Sequence, residues 1–179
     1  MNKNKIILTV LLFTLVFSSI NFANKNYQIG DKINDVLYTD IITEINGQEV
    51  KSFNINGSTA IYVTEIEKLG YNVDWNGDKR LVEITNNPSK NPTYIEKEIE
   101  KSSTLDYSIG EKINDVLYTD IKTKINGKEV ESFNINGSTA IYVTALRDTS
   151  AAVKWNGDTR KVIISNVKNS KSQEILKNK

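Results

Sequence analysis

Cysteine and histidine are both absent from this 179-residue chain. Lack of cysteine excludes disulfide staples, a lipid-modified cysteine and thiol chemistry. With histidine missing as well, the common zinc sites, catalytic triads and thiol redox centres cannot be assembled. Arginine is scarce and occurs only at positions 80, 147 and 160. The whole chain carries a formal charge of +1, with 23 basic and 22 acidic residues. Without residues 1–23, which hold two lysines, 21 basic residues face the same 22 acidic ones, a charge of −1. A neutral, arginine-poor chain is a poor partner for nucleic acid, whose recognition rests on clustered positive charge. The basic stretch from Val167 reads as a solvated tail. Proline is limited to Pro88 and Pro92, and no glycine-rich phosphate loop is present.

The N-terminus sets the expected compartment. Lys3 and Lys5 precede an uncharged apolar run over residues 6–17, followed by Ser18, Ser19 and Ala23. That order is the secretory signal pattern, and the run is shorter than the roughly 20 residues of a membrane span. Residues 1–23 are therefore expected to be a signal peptide, cleaved near Ala23. The mature protein is expected to be secreted or held at the cell surface, with no stable membrane insertion. Secretion without disulfides fits a Gram-positive type of exterior.

The rest of the chain is dominated by a tandem repeat. Residues 27–86 align with 107–166 without gaps at an offset of 80, with 41 of 60 positions identical. The block 52–64 (SFNINGSTAIYVT) recurs unchanged at 132–144. Two copies imply two units, here 24–86 and 107–166. Residues 87–106 contain both prolines and a charged stretch and read as a linker; 167–179 form the C-terminal tail.

Asn-Gly punctuates each unit at 46–47, 56–57 and 76–77, and again 80 residues later. The dipeptide accepts positive φ at both positions and closes tight hairpins. Apolar alternation around the turns puts Leu37, Ile41, Ile45 and Val50 on one face, and Val73, Trp75, Val82 and Ile84 on another. Trp75 and Trp155 thus count as core residues. A short helix fits after a strand over residues 60–63. Thr64 is its expected N-cap, Glu67 completes a capping box, and Gly70 supplies a left-handed C-cap. The expected fold is α+β: two tandem small domains, each an antiparallel sheet with one short helix packed on it.

This pattern resembles the copper amine oxidase N-terminal-like domain, or stalk domain, of secreted and surface proteins of clostridia and relatives. The resemblance rests on residues 36–84 and 116–164. It includes the Ile-Asn-Gly hairpin, the Ser-Phe-Asn-Ile and Ile-Tyr-Val strands, the Leu-Gly-Tyr helix end and the Val-x-Trp-Asn strand. It implies a small spacer or interaction domain, not an oxidase. The name-giving enzyme builds its copper site from histidines, and this chain has none. Its tyrosine-derived cofactor lies in an Asn-Tyr-Asp/Glu motif, whereas Asn26-Tyr27 is followed by Gln28, and Tyr107 follows Asp106. Residues 40–52 also resemble the Ile-Asn-Gly strand pair of PDZ domains, but no carboxylate-binding Gly-Leu-Gly-Phe loop precedes them.

Few residues suggest chemistry. Asp35 and Asp40 recur as Asp115 and Asp120. Paired carboxylates could serve glycoside hydrolysis, but a unit of about 60 residues leaves little room for a cleft. They read as solvated acids. The oxygen-rich stretch at 74–78 loses Asp74 to Lys154 in the second copy, and a turn accounts for Asn76-Gly77-Asp78 without calcium. No catalytic residue, cofactor or metal is expected. Tyr38 and Tyr118, opposite in parity to Leu37 and Ile41, are candidate contact residues. Glu65 and Lys68 on the helix are two more, because the copies differ at eight consecutive positions there (65–72 against 145–152). Loss of Leu69, Gly70 and Glu67, replaced by Thr149, Ser150 and Arg147, predicts a less stable second unit. The expected function is a non-catalytic exterior interaction module for a protein or wall polymer. A structural spacer is the alternative, and PDZ-like peptide binding ranks below it.

Overall fold

The structure is a computed structural model that describes residues 26–87, 89–90 and 107–166. The expected signal peptide, the tail over 167–179 and the expected linker over 87–106, apart from residues 87 and 89–90, lie outside the described residues. Each repeat contributes seven strands. The first gives β1 (Lys32–Leu37), β2 (Ile42–Ile45), β3 (Gln48–Val50), β4 (Ser52–Ile55), β5 (Ser58–Tyr62), β6 (Tyr71–Asn76) and β7 (Leu81–Asn86). The second gives β8 (Lys112–Leu117), β9 (Lys122–Ile125), β10 (Lys128–Val130), β11 (Ser132–Ile135), β12 (Ser138–Tyr142), β13 (Ala151–Asn156) and β14 (Lys161–Asn166).

Local chemistry explains the hairpins. Asn46 and Gly47 both take positive φ (50° and 82°), as do Asn56 and Gly57 (51° and 76°). These are the two-residue turns whose twist matches that of the flanking strands. The Asn54 side chain steadies the second turn by accepting a hydrogen bond from Gly57 N at 2.9 Å. The third Asn-Gly behaves differently. Gly77 has no positive φ; instead a longer connection ends at Arg80 with φ 46°. The expected two-residue turn at 76–77 is thus a four-residue loop closed by an arginine, and Arg160 (φ 50°) repeats it.

The expected helix is a 3₁₀ segment, Val63–Leu69, in the first repeat and Val143–Asp148 in the second. Tyr62 is the N-cap and has no side-chain capping bond, so Thr64 and Glu67 form no capping box. Gly70 is the left-handed cap expected, at φ 86°. A side-chain carbon there would also stand 2.9 Å from the Lys90 carbonyl oxygen, so glycine is needed twice over. In the second repeat the segment stops one residue sooner. Thr149 is extended and its hydroxyl donates to the Leu146 carbonyl at 2.6 Å. Ser150 therefore avoids the left-handed strain expected of it, although the buried Leu69 does give way to a half-buried Thr149.

Strand pairing crosses between the repeats. Six strands close a barrel in the order β1-β4-β5-β12-β11-β8. Two four-stranded sheets flank it, β10-β9-β7-β6 and β13-β14-β2-β3. In each, the last hairpin of one repeat lies beside the first hairpin of the other, through the parallel pairs β7·β9 and β14·β2. The fold is sheet-rich, as expected, but neither repeat closes on a sheet of its own. Register reveals a pseudo-two-fold axis. Asp35 faces Asp115 between β1 and β8, and Ile61 faces Ile141 between β5 and β12. Both are pairs 80 residues apart.

Two cores result, and both draw on both repeats. Val36, Phe53, Ile55 and Ala60 fill the barrel with their counterparts Val116, Phe133, Ile135 and Ala140. Ile61 and Ile141 point the other way, into a larger core with the 3₁₀ segments and the two flanking sheets. β5 and β12 are thus buried on both faces, which explains the consecutive buried pair Ala60-Ile61 where an alternating strand would have only one.

Candidate binding surface

The sequence-derived contact residues are placed but largely engaged. Tyr38 and Tyr118 are half-buried. The Tyr38 ring lies 5.8 Å from that of Tyr107, and Tyr118 stacks on Tyr27 at 5.7 Å. Their backbones join opposite repeats: Tyr38 N donates to the Glu111 carbonyl at 2.7 Å, and Tyr118 N to the Asp31 carbonyl at 2.7 Å. The pair Tyr38–Tyr107 fastens one end of the antiparallel β1·β8 ladder and the pair Tyr118–Tyr27 the other. Around them Ile29 and Ile109 are exposed. Glu65 and Lys68 pair with each other along the 3₁₀ segment, which leaves little free charge for a partner. They are not brought near the tyrosines by any contact in the structure.

The recurring acids are tied into ion pairs. Lys32 Nζ is 2.7 Å from Asp35 and 3.3 Å from Asp115, and Lys112 makes the mirror-related contacts. These four charges straddle the pseudo-two-fold axis and cancel. The two ammonium groups hold both carboxyls below their usual range. Asp120 accepts from Arg80 Nε at 2.7 Å, and Asp40 from Arg160 at 2.6 Å. Here too the guanidinium lowers the carboxyl pKa. Each of these four acids is ion-paired with a basic side chain. Among the described residues, no cluster of three or more carboxylate, histidine or cysteine side chains is placed to hold a metal ion, and no helix is long and apolar enough to cross a membrane.

The largest exposed side chains are the two tryptophans. Trp75 is 54% exposed and Trp155 51%, which corrects the expectation that both lie in the core. Each stands on the outermost strand of a flanking sheet, β6 and β13. Strand parity does assign them to the apolar face. Trp75 is in register with Val82, which faces Thr123, which faces Val130. The row Trp155, Val162, Thr43, Val50 matches it. Val82 and Thr123 are buried, but burial has run out by the time the row reaches the sheet edge. Parity identifies a face; it does not locate the rim of the layer packed on that face. The rings are therefore flat aromatic surfaces at two equivalent edges. The 77–80 and 157–160 loops start beside them, with glycine nearest: a side-chain carbon at Gly77 would be 3.6 Å from the indole nitrogen, and one at Gly157 3.5 Å. In both rows the buried threonine hydroxyl, on Thr43 and Thr123, has no hydrogen-bond partner among the described residues.

Comparison of the chain with protein-family models finds no match, and comparison with curated proteins and with solved structures finds none either.

Proposed function

We propose that this is a non-catalytic binding module of the cell exterior, and that Trp75 and Trp155 are its contact residues. The observation that carries the reading is their half-exposed state on two symmetry-equivalent sheet edges. Tryptophan is enriched at binding surfaces, where one rigid ring supplies a large apolar contact and an N–H donor. A flat ring followed in the chain by polar residues, Asn76 at the strand end and Asp78 in the loop in one copy and Asn156 and Asp158 in the other, suits the apolar face of a sugar. Wall glycan is therefore the first partner to test, and a surface protein the second. The signal-like N-terminus, the absence of cysteine and histidine, and the ion-paired acids agree with an exported module without catalysis.

The test is a pull-down of the mature protein with purified cell wall and with culture-supernatant proteins. Retention on the wall, lost in Trp75→Ala/Trp155→Ala while the fold persists, supports the proposal. Retention that survives the double substitution removes the tryptophans from the site. Binding to neither material favours the spacer reading, in which the rigid, double-paired barrel simply holds its ends apart.

A further inference from the structure

The two repeats differ at 19 of the 60 aligned positions, and some of those differences are correlated across the interface between them. Positions 42, 44, 81 and 83, with counterparts 122, 124, 161 and 163, all lie on the strands where one repeat meets the other. Glu83 of the first repeat is in register with Lys124 of the second. Lys161 of the second repeat reaches the Glu44 carboxylate of the first. Each juxtaposition sets opposite charges side by side.

Exchanging partners would reverse this. Two first repeats paired in the same manner would set Glu83 against Glu44, twice by symmetry. Two second repeats would set Lys161 against Lys122 in register, with Lys124 in place of the carboxylate it now reaches. Like charges directly opposite one another in a sheet are destabilising. The core adds a difference of size. Tyr71 is buried, and its hydroxyl is 3.0 Å from the Ser150 hydroxyl of the other repeat. The equivalent positions hold Ala151 and Gly70. A pair of first repeats would place two tyrosines in this core and no serine. A pair of second repeats would place no tyrosine there and leave a void. The barrel strands and the Arg–Asp and Lys–Asp pairs are the same in both copies, so they permit any pairing and select none.

We propose that the repeats form a heterotypic, charge-coded pair: the partner surface of the first repeat recognises a repeat of the second type and rejects its own kind. Specificity then comes as much from repulsion in the wrong pairings as from attraction in the right one. A chain whose repeats came apart would accept the complementary repeat of a second chain in preference to a like one.

The experiment starts from the full chain with a protease site introduced within residues 91–106. The folded protein is cut there, unfolded, refolded and weighed by native mass spectrometry. Random pairing would give the mixed pair a share of roughly half. The expected result is a clear excess of the mixed pair, shrinking at about 1 M salt, where screening acts within roughly 3 Å. The exchange Glu44→Lys/Lys124→Glu makes both mixed contacts like-charged, sets Glu83 against a lysine in a pair of first repeats, and gives Lys161 a carboxylate to reach in a pair of second repeats, where it still faces Lys122. It should lower the ratio of mixed to like pairs about fivefold or more. The salt dependence of the unmodified protein decides the question if that variant does not refold. A random distribution, a ratio unmoved by the exchange and by salt, or halves that remain single would overturn the proposal.

Discussion

Replacing Ile61 with alanine tests whether the repeats fold as one. Ile61 is fully buried and faces Ile141 across the pseudo-two-fold axis, inside a core that contains side chains from both repeats. Such a truncation costs about 2–5 kcal/mol, the lost transfer energy plus the cavity left behind. Against a total stability of about 5–15 kcal/mol, the loss is severe but survivable. With a urea slope of about 2 kcal/mol per molar, the midpoint should fall by about 1–2.5 M. The assay is hydrogen exchange read by mass spectrometry in increasing urea, comparing peptides from β2–β3 with peptides from β9–β10. β9 belongs to the second repeat but is bonded to β7 of the first, and β2 to β14 of the second. Both peptide groups should lose protection at one urea concentration, and Ile61→Ala should lower it for both alike. Loss of protection confined to first-repeat peptides would refute the reasoning, because it would mean that each repeat holds its own core. The predicted lower stability of an isolated second unit has no direct counterpart here, since neither repeat has a sheet to itself.

Gly70→Ala should destabilise by about 1–2 kcal/mol through its positive φ, with a further cost from the Lys90 carbonyl 2.9 Å away; chemical denaturation reads this. Ser150→Ala should cost about 1 kcal/mol from the lost bond to Tyr71, with no gain from relieved backbone strain. Trp75→Ala and Trp155→Ala should each change stability by only about 1 kcal/mol, given their exposure, and both indoles should be readily quenched by acrylamide; a core-sized loss would return them to the interior. Acid should weaken the fold. Asp35, Asp40, Asp115 and Asp120 have folded pKa values below the ordinary 3.8, so their contribution is complete above that value and is lost as pH falls through the lower folded values. Thermal unfolding between about pH 5 and pH 2 should show the decline, and Asp35→Asn/Asp115→Asn should flatten it.

Much of the local structure was legible in the sequence, because local structure follows from local chemistry. Asn-Gly at 46–47 and 56–57 gives the turns, and Gly70 gives the left-handed cap. The failures have physical causes. At 76–77 the next residues matter as well, and the chain prefers a loop closed by Arg80. Thr64 has the right chemistry for an N-cap, but the preceding strand runs on to Tyr62, which takes that place. Trp75 has the parity of a core residue, yet the packed layer ends before it. Pairing between repeats was not legible at all. Alternation tells which face of a strand is buried, not which strand lies beside it. When two copies share their strand sequences, a partner within the repeat and a partner 80 residues away look the same.

Arg80 shows how the crossing is nevertheless written into the chain. An arginine at φ 46° is a strained choice for a turn, and glycine would serve better if the turn were all that mattered. The strained conformation aims two groups at the other repeat. The Arg80 carbonyl accepts a hydrogen bond from Lys122 N at 3.0 Å, starting the parallel ladder of β7 on β9. The guanidinium meanwhile closes on Asp120 through Nε at 2.7 Å and a terminal nitrogen at 2.6 Å. Arg160 likewise accepts from Ile42 N at 3.1 Å, for β14 on β2, and holds Asp40 through a terminal nitrogen at 2.6 Å. Two of the three arginines in the chain are thus used at one structural position. A lysine there could supply the charge but not the two-nitrogen grip, and a glycine could supply the backbone but not the charge. The scarcity of arginine, which at first only excluded nucleic acid, also marks two of the points where one repeat takes hold of the other.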